Sequence, residues 1–342
     1  MEKIRLGKTD LYVTRQSFGA LPVQRVDKPT AVKILRKAYD NGINYFDTAN
    51  RYTDSEEKIG LAFEGIDRQS YIISTKTGAL TKKEALAHIE NSLKMMKTDY
   101  IDLIQMHNPS SLPDPEDPNG AYQGLLEAKQ KGYVRHIGLT NHSLDTAMKA
   151  IDTNLFETIQ FPFSYLATKE ELLLAEKCRD ADLGFIAMKG LAGGLLNNAA
   201  ACFAFISQYD WVVPIWGIQS EAELDEWLSF EKKPPVLDDT LKAVIEKDKK
   251  ELVGSFCRSC GYCMPCPVGI DIKQAARMNR LLRRSPYQEY MTKEYYDQMH
   301  KIDDCLECGS CKSKCPYGLD TPKLLKENLA DYDEFYAKHK EN

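Results

Sequence analysis

The chain has 342 residues, 43% of them hydrophobic, and carries 45 Lys and Arg against 50 Asp and Glu for a formal net charge of −5. This length supports one large core and a second, smaller domain. A mean hydropathy of −0.43 without a long uncharged apolar run argues against a membrane span, and the lack of a basic stripe interleaved with aromatics argues against nucleic acid as a partner.

The opening residues, Met1-Glu2-Lys3-Ile4-Arg5, contain no apolar signal stretch, so a cytoplasmic location is expected. From Ile4 to Val13, the turn sequence Gly7-Lys8-Thr9-Asp10 separates two extended pieces and predicts a hairpin that covers the floor of whatever follows. Eight short apolar segments then recur: Val13 to Gly19, Ile43 to Ala49, Tyr71 to Lys76, Ile101 to His107, Val134 to Asn141, Thr158 to Phe163, Gly184 to Lys189 and Trp211 to Gly217. Each is followed by a helical pattern. Asn41-Gly42 stops one helix, and Thr81-Lys82-Lys83-Glu84 forms a capping box ahead of the Leu86, Ile89, Leu93, Met96 stripe. A spacing of roughly one strand plus one crossover helix, repeated eight times, predicts a (β/α)8 TIM barrel. A doubly wound sheet would need a G-x-G-x-x-G turn after its first strand, and none is there.

Lys232-Lys233-Pro234-Pro235 marks a boundary, so the chain divides into a barrel, 1–233, and a second domain, 234–342. The latter opens with a charged helical segment from Asp238 to Leu252. It then holds two cysteine runs, Cys257-x-x-Cys260-x-x-Cys263-x-x-Cys266-Pro267 and Cys305-x-x-Cys308-x-x-Cys311-x-x-x-Cys315-Pro316. Helical spacing from Ile272 to His300 and after Cys315 makes this domain mostly helical. Three thiolates two residues apart wrap three corners of a cubane, while the fourth, before a proline, reaches the neighbouring cluster. Cys257, Cys260, Cys263 and Cys315 are therefore expected to hold one 4Fe-4S cluster, and Cys305, Cys308, Cys311 and Cys266 a second. Zinc would leave a surplus cysteine in each run, and disulfides require an oxidising compartment. Cys178 and Cys202 read as buried hydrophobes.

Within a barrel of this kind, chemistry sits where strands end and loops begin. Asp47 ends the second strand, Tyr52 lies in the loop after it, Lys76 ends the third and His107 the fourth. A lysine beside a tyrosine favours the phenolate, and an aspartate keeps the lysine charged and fixed. Tyr52 could then act as general acid toward a carbonyl oxygen that His107 orients. Singly, each residue has a structural reading: loop cap, half-buried aromatic, surface charge, core histidine. Four matched strand ends favour chemistry.

Asp47-Thr48-Ala49-Asn50-Arg51-Tyr52, followed by Ser55-Glu56 and Gly60, resembles the aldo-keto reductase signature, as do Ser74-Thr75-Lys76 and Gln105-Met106-His107. The cysteine runs resemble the two-cluster bacterial ferredoxin motif, except that the first has two residues rather than three before its last cysteine. The tail is similar to the ferredoxin-type subgroup of the family. The resemblance implies a small, bacterial-ferredoxin-like second domain and hydride transfer between NADP(H) or NAD(H) and a small carbonyl or alcohol substrate. Tyr52 would be the proton donor, with Asp47 and Lys76 tuning it. Thr140, Asn141 and Gln160 match the positions that hold the nicotinamide carboxamide. Met188 stands where many members stack an aromatic ring on the nicotinamide, and Lys189 and Gly193 could approach the pyrophosphate. The lysine and arginine that clamp the 2'-phosphate of NADPH in relatives fall on Gly217 and Glu223, and a carboxylate facing a phosphate is repulsive. Poor NADPH preference or weak dinucleotide binding is expected.

Nicotinamide moves two electrons and a 4Fe-4S cluster one, and no flavin motif is evident to convert between them. The clusters are then structural, or serve a bound flavin, or exchange electrons with a ferredoxin or flavoprotein partner. A second reading makes the protein a ferredoxin-linked reductase that does not use nicotinamide. A third makes it a non-enzymatic electron-transfer subunit, against which the complete tetrad counts.

Overall fold

The computed structural model of the chain describes residues 1–252, 256–284 and 287–339. It comprises two compact units: Met1–Gly190 with Cys202–Leu237, and Leu191–Ala201 with Asp238–Asn342.

In the first unit, the short strands β1 (Lys3–Arg5) and β2 (Tyr12–Thr14) pair antiparallel as the expected hairpin. Eight parallel strands follow: β3 (Ser17–Gly19), β4 (Tyr45–Asp47), β5 (Ile72–Thr77), β6 (Ile101–His107), β7 (Val134–Thr140), β8 (Thr158–Pro162), β9 (Gly184–Met188) and β10 (Val212–Gly217). They close into a barrel in the order β10-β3-β4-β5-β6-β7-β8-β9. Each of the eight apolar segments contains a barrel strand, save that β5 runs one residue past its segment, to Thr77. Val13 belongs to the hairpin instead, because Arg15 and Gln16 break the first segment before β3 begins.

Helices α1 (Lys28–Asp40), α2 (Ser55–Ala62), α3 (Lys82–Met96), α4 (Ala121–Gln130), α5 (Leu144–Ile151), α6 (Lys169–Asp180) and α7 (Ala199–Ile206) supply the seven crossovers, and α8 (Glu221–Lys232) follows the last strand. Their ends follow from local chemistry. Asn41 and Gly42, the latter at φ 95°, end α1, and Thr81 with Glu84 forms the reciprocal capping box of α3. Hairpin residues Leu6, Leu11 and Val13 pack with Tyr45, Ile72, Leu103, Ile186, Val213 and Ile215 in one buried cluster. The hairpin thereby closes the amino end of the barrel and leaves chemistry to the carboxyl end. No helix among the described residues is long and apolar enough to cross a membrane.

The second unit is helical. Its members are α9 (Asp239–Glu251), α10 (Ile272–Ala275), α11 (Met278–Arg284), α12 (Lys293–His300), α13 (Ser310–Ser313) and α14 (Thr321–His339). Positions 285 and 286 of the expected helical stretch fall outside the described residues. Met278, Leu281, Tyr290, Met299, Ile302, Leu325 and Tyr332 are buried, and the Tyr332 hydroxyl donates to the Tyr290 carbonyl at 2.7 Å. Within this unit the 191–201 stretch is held by two arginines of the α10–α11 region. Arg277 Nη1 donates to the Gly193 carbonyl at 2.7 Å and Arg284 Nε to the Leu195 carbonyl at 2.6 Å.

The two cysteine runs share one backbone path. Left-handed φ occurs at Ser259 and Gly261 in the first run and at the equivalent Glu307 and Gly309 in the second. After each Cys-Pro pair a left-handed glycine follows, Gly269 or Gly318, whose N–H returns to the cysteine carbonyl at 3.0 and 3.1 Å. A short apolar-Asp step then leads into α10 or α14. The repeat thus extends from the cysteines into the helix that follows each run.

Candidate active site and cysteine cavity

The Asp47 backbone pairs with Gly19 and Ser74 on either side in the barrel, which fixes its carboxylate among the strand ends. Lys76 Nζ donates to Asp47 Oδ1 at 2.6 Å and to the Thr48 carbonyl at 2.6 Å, with both charged side chains nearly inaccessible. Burial pushes the Asp47 carboxyl up and the Lys76 ammonium down, and the short bond between them opposes both shifts. The second carboxylate oxygen accepts from Ser74 Oγ at 3.0 Å and Gln105 Nε2 at 3.3 Å; the Gln105 amide also donates to Gln160 Oε1 at 2.7 Å.

Tyr52 sits in the β4–α2 loop, which is held at several points. The Asn50 N–H donates to the Lys76 carbonyl, the Tyr52 N–H to Ala49 and the Ser55 N–H to Tyr52, while Ser55 Oγ donates to the Ala20 carbonyl at 2.9 Å. The half-buried Tyr52 ring lies with its centroid 5.5 Å from Lys76 Nζ and meets the His107 ring edge-on at 5.9 Å. The four residues singled out from strand ends are therefore brought together. The His107 Nδ1 atom is buried and makes no hydrogen bond among the described residues. Burial, helped by the Lys76 and Arg51 cations, lowers the His107 pKa to about 3, so its imidazole is neutral near pH 7.

Three members of this network carried no assigned role in the sequence reading: Glu56, Ser74 and Gln105. Glu56 is buried beside the pair; Thr75 Oγ1 donates to its Oε1 at 2.6 Å, and burial raises its pKa. The signal available was a Gln inside the otherwise buried strand β6; Glu56 sits in a polar first turn of α2, Ser55-Glu56-Glu57-Lys58, and gave none.

The residues expected to meet a dinucleotide lie at the ends of β7 to β10, with one exception. Thr140 is buried, its hydroxyl 3.9 Å from Met188 Sδ. Asn141 is buried, donating to the Pro109 carbonyl at 3.0 Å and accepting from the Ser143 N–H at 2.7 Å. Gln160 accepts from Gln105, Met188 is half-buried, and Lys189 follows it at φ 59°. Gly217 is exposed at the end of β10 beside Pro22. The exception is Gly193, which belongs to the second unit. Glu223 is committed to the chain itself: its Oε2 accepts from the Gln219 and Ser220 N–H groups at 2.8 and 3.2 Å, making the capping box of α8.

In the second unit a cavity is lined by Cys305, Cys308 and Cys311 of the second run together with Cys263 and Cys266 of the first, among Pro267, Ile270 and Leu325. Burial raises the Cys257 thiol, and Cys260 and Cys315 add to the rise. Burial likewise pushes Cys263 up to about 12, with Cys257 and Cys260 contributing, and raises Cys311, with Cys305 and Cys308 contributing. Cys315 thus neighbours the first run, while Cys263 and Cys266 both line the cavity of the second. The Ser259 N–H points at Cys257 Sγ at 3.4 Å. Eight thiols in two such groups fit a strongly cationic iron centre, which would stabilise the thiolates that mutual repulsion disfavours. Among the described residues, no three His, Cys, Asp or Glu side chains converge as ligands of a single ion.

Comparison with known proteins is consistent with both halves. The pattern of the Aldo/keto reductase family matches residues 15–202, and that of a 4Fe-4S dicluster domain matches residues 256–320. The aldo-keto reductase YhdN of Bacillus subtilis is 31% identical over 216 residues, covering 58% of this chain and 64% of its own. The L-galactose dehydrogenase of Arabidopsis thaliana is 30% identical over 211 residues, covering 56% and 66%. The chain spans about two thirds of the length of these curated relatives. Among solved structures, the holo form of aldo-keto reductase AKR11C1 from Bacillus halodurans superposes with a TM-score of 0.64 at 22% identity, covering 75% of this chain and 98% of that one. That level of identity bears on the fold alone.

Proposed function

Because the chain belongs to the aldo/keto reductase family and carries a 4Fe-4S dicluster domain, we propose that its barrel reduces a small carbonyl compound, or oxidises the matching alcohol, with Tyr52 as the proton donor. The observation that carries this reading is the buried Lys76–Asp47 ion pair at 2.6 Å, set against the Tyr52 ring with His107 beside it. A cation at that place stabilises the negative charge that develops on the phenol as it releases its proton. Asp47, Ser74 and Gln105 hold the ammonium side of the site in place, so little reorganisation accompanies proton transfer. The neutral His107 ring, with Nδ1 free of other bonds among the described residues, hydrogen-bonds the substrate oxygen and orients it toward Tyr52.

A nicotinamide, when bound, supplies the hydride; Thr140, Asn141 and Gln160 would hold its carboxamide and Lys189 its pyrophosphate. NADH fits better than NADPH. Glu223 accepts the Gln219 and Ser220 N–H groups just ahead of α8 on its own carboxylate, so a 2'-phosphate there would meet negative charge where relatives provide cations. Two 4Fe-4S clusters would be held by Cys257, Cys260, Cys263 and Cys315, and by Cys305, Cys308, Cys311 and Cys266. They supply one-electron capacity, through a ferredoxin or flavoprotein partner.

The test is anaerobic NADH oxidation with a panel of small aldehydes and ketones. Tyr52→Phe should lose about 100- to 10,000-fold in turnover with its iron retained, the range for a missing general acid. Turnover equal to the parent's removes Tyr52 from the chemistry. A second reading, reduction by electrons arriving through the clusters without nicotinamide, is favoured by Met188 in place of an aromatic ring and by the committed Glu223. Fluorescence silence with both NADH and NADPH selects it.

A further inference from the structure

The two cysteine groups lie in different electrostatic settings. Around the first, residues 257–266 include no acid, and three guanidinium groups close in. Arg258, inside the run, stacks over Tyr317, two residues beyond Cys315, with 4.7 Å to the ring centroid. Arg280 lies 5.0 Å from the centroid of Phe256, the residue before Cys257. Arg277 is buried, and the backbone of Gly193 lies between it and the turn of the run. A Cβ at Gly193 would stand 3.1 Å from Arg277 Nη1 and 3.9 Å from the Arg258 carbonyl and from Ser259 Cβ.

Around the second group the sequence reads Asp303-Asp304-Cys305-Leu306-Glu307-Cys308, three acids in six residues, with Lys312 and Lys314 later in the run; Asp303 pairs with His300 and Lys312 with Asp320 at the surface. Its environment is more open: Cys308 is exposed and Leu306 is 66% exposed, whereas Cys257 is buried. Glu307 is ion-paired with Lys326 at the surface.

Adding an electron to a 4Fe-4S cluster adds a negative charge with no bond made or broken, so a nearby buried cation favours the reduced state and flanking carboxylates oppose it. We propose that this asymmetry ranks the two clusters: the one held by Cys257, Cys260, Cys263 and Cys315 has the higher reduction potential, set chiefly by Arg277. The exposed, acid-flanked cluster is the one that receives an electron from outside, and the arginine-lined cluster is the one on which it comes to rest. The donor is a one-electron carrier at the exposed face; its loss of one electron balances the single reduction. This inference rests on the ligand grouping proposed above.

The experiment is a potentiometric titration of the full-length, iron-loaded protein with dithionite, monitored by electron paramagnetic resonance, alongside iron analysis. Two resolved midpoint potentials are expected in the parent. Arg277→Gln should move the higher one downward and leave the lower in place. Arg277→Lys, which keeps the charge, should largely restore it. Glu307→Gln, at an exposed position, should move only the lower potential, upward. Should Arg277→Gln lose its clusters, Arg258→Gln serves at the same group with the same expected direction. About eight iron atoms per chain with no selective shift, or both substitutions acting on one couple, overturns the ranking. An iron content near four, or near zero, in the parent refutes the two-cluster reading instead, and the ranking with it.

Discussion

The buried pair of Lys76 and Asp47 predicts a specific double-mutant cycle. Lys76→Met removes an ammonium that makes two 2.6 Å bonds, to Asp47 Oδ1 and to the Thr48 carbonyl, and fills its volume with an apolar chain. The Asp47 carboxylate is then left in a dry site with neutral donors alone, Ser74 Oγ at 3.0 Å, Gln105 Nε2 at 3.3 Å and the Gln160 side chain. Breaking one side of a buried pair costs about 3–5 kcal/mol, a fifth or more of the roughly 5–15 kcal/mol that holds a domain together. Asp47→Asn alone strands the lysine and should cost a similar amount. In the double variant no charge remains, so most of the loss should be recovered, leaving about 1–2 kcal/mol from the altered hydrogen bonds. Urea unfolding followed by tryptophan fluorescence reads this out, since all three tryptophans, Trp211, Trp216 and Trp227, lie in the barrel unit. Losses from the two single variants that simply add, with a coupling below about 0.5 kcal/mol, would mean that the two groups do not sense each other and that no ammonium is held beside Tyr52.

Three other expectations are independent of that pair. His136 donates from both ring nitrogens, to Glu157 at 2.6 Å and to Asp10 in the hairpin turn at 2.7 Å; burial alone would lower its pKa, but these bonds outweigh it and raise it above 6.5. A raised folded pKa means that the folded state binds the extra proton. Its stabilisation is therefore full below about pH 6.5 and is lost as pH climbs through the folded pKa; His136→Gln should flatten barrel stability over that alkaline stretch, and an unchanged slope rejects the assignment. Gly60 on α2 has no room for a side chain, since a Cβ would lie 2.4 Å from the Met95 carbonyl at the end of α3. Gly60→Ala should lower barrel stability by about 1–3 kcal/mol, and a neutral result would show that α2 and α3 separate easily. Cys260→Ala should lower the iron content and the brown absorbance while leaving the tryptophan unfolding transition intact; a fully loaded variant contradicts its place as a ligand.

Features written in local order were readable before any coordinates. The eight apolar segments, the Thr81–Glu84 capping box, the Asn41-Gly42 stop and the two cysteine runs each depend on residues a few positions apart, whose backbone preferences and side-chain periods act over one turn or one strand. The site was readable in outline for the same reason. Asp47, Lys76 and His107 end successive strands, and parallel closure brings strand ends to one rim, so the period of the chain already implies their meeting with Tyr52. What depends on long-range packing was not readable. Whether Glu56 faces solvent or lies buried against Thr75, and whether Gln105 reaches Asp47 and Gln160, is decided by which atoms the closed barrel sets within hydrogen-bonding distance of one another. Glu223, which reads as a charge opposed to a phosphate, also closes the capping box of α8 with Ser220, a local pattern of the Thr81–Glu84 kind. The grouping of residues 191–201 with the cysteine-bearing unit, through Arg277 and Arg284, joins positions about 85 apart in the chain. Hydrogen bonds of that kind leave no period in a sequence, because nothing local requires them; they exist only once the fold has brought a carbonyl and a guanidinium together away from water.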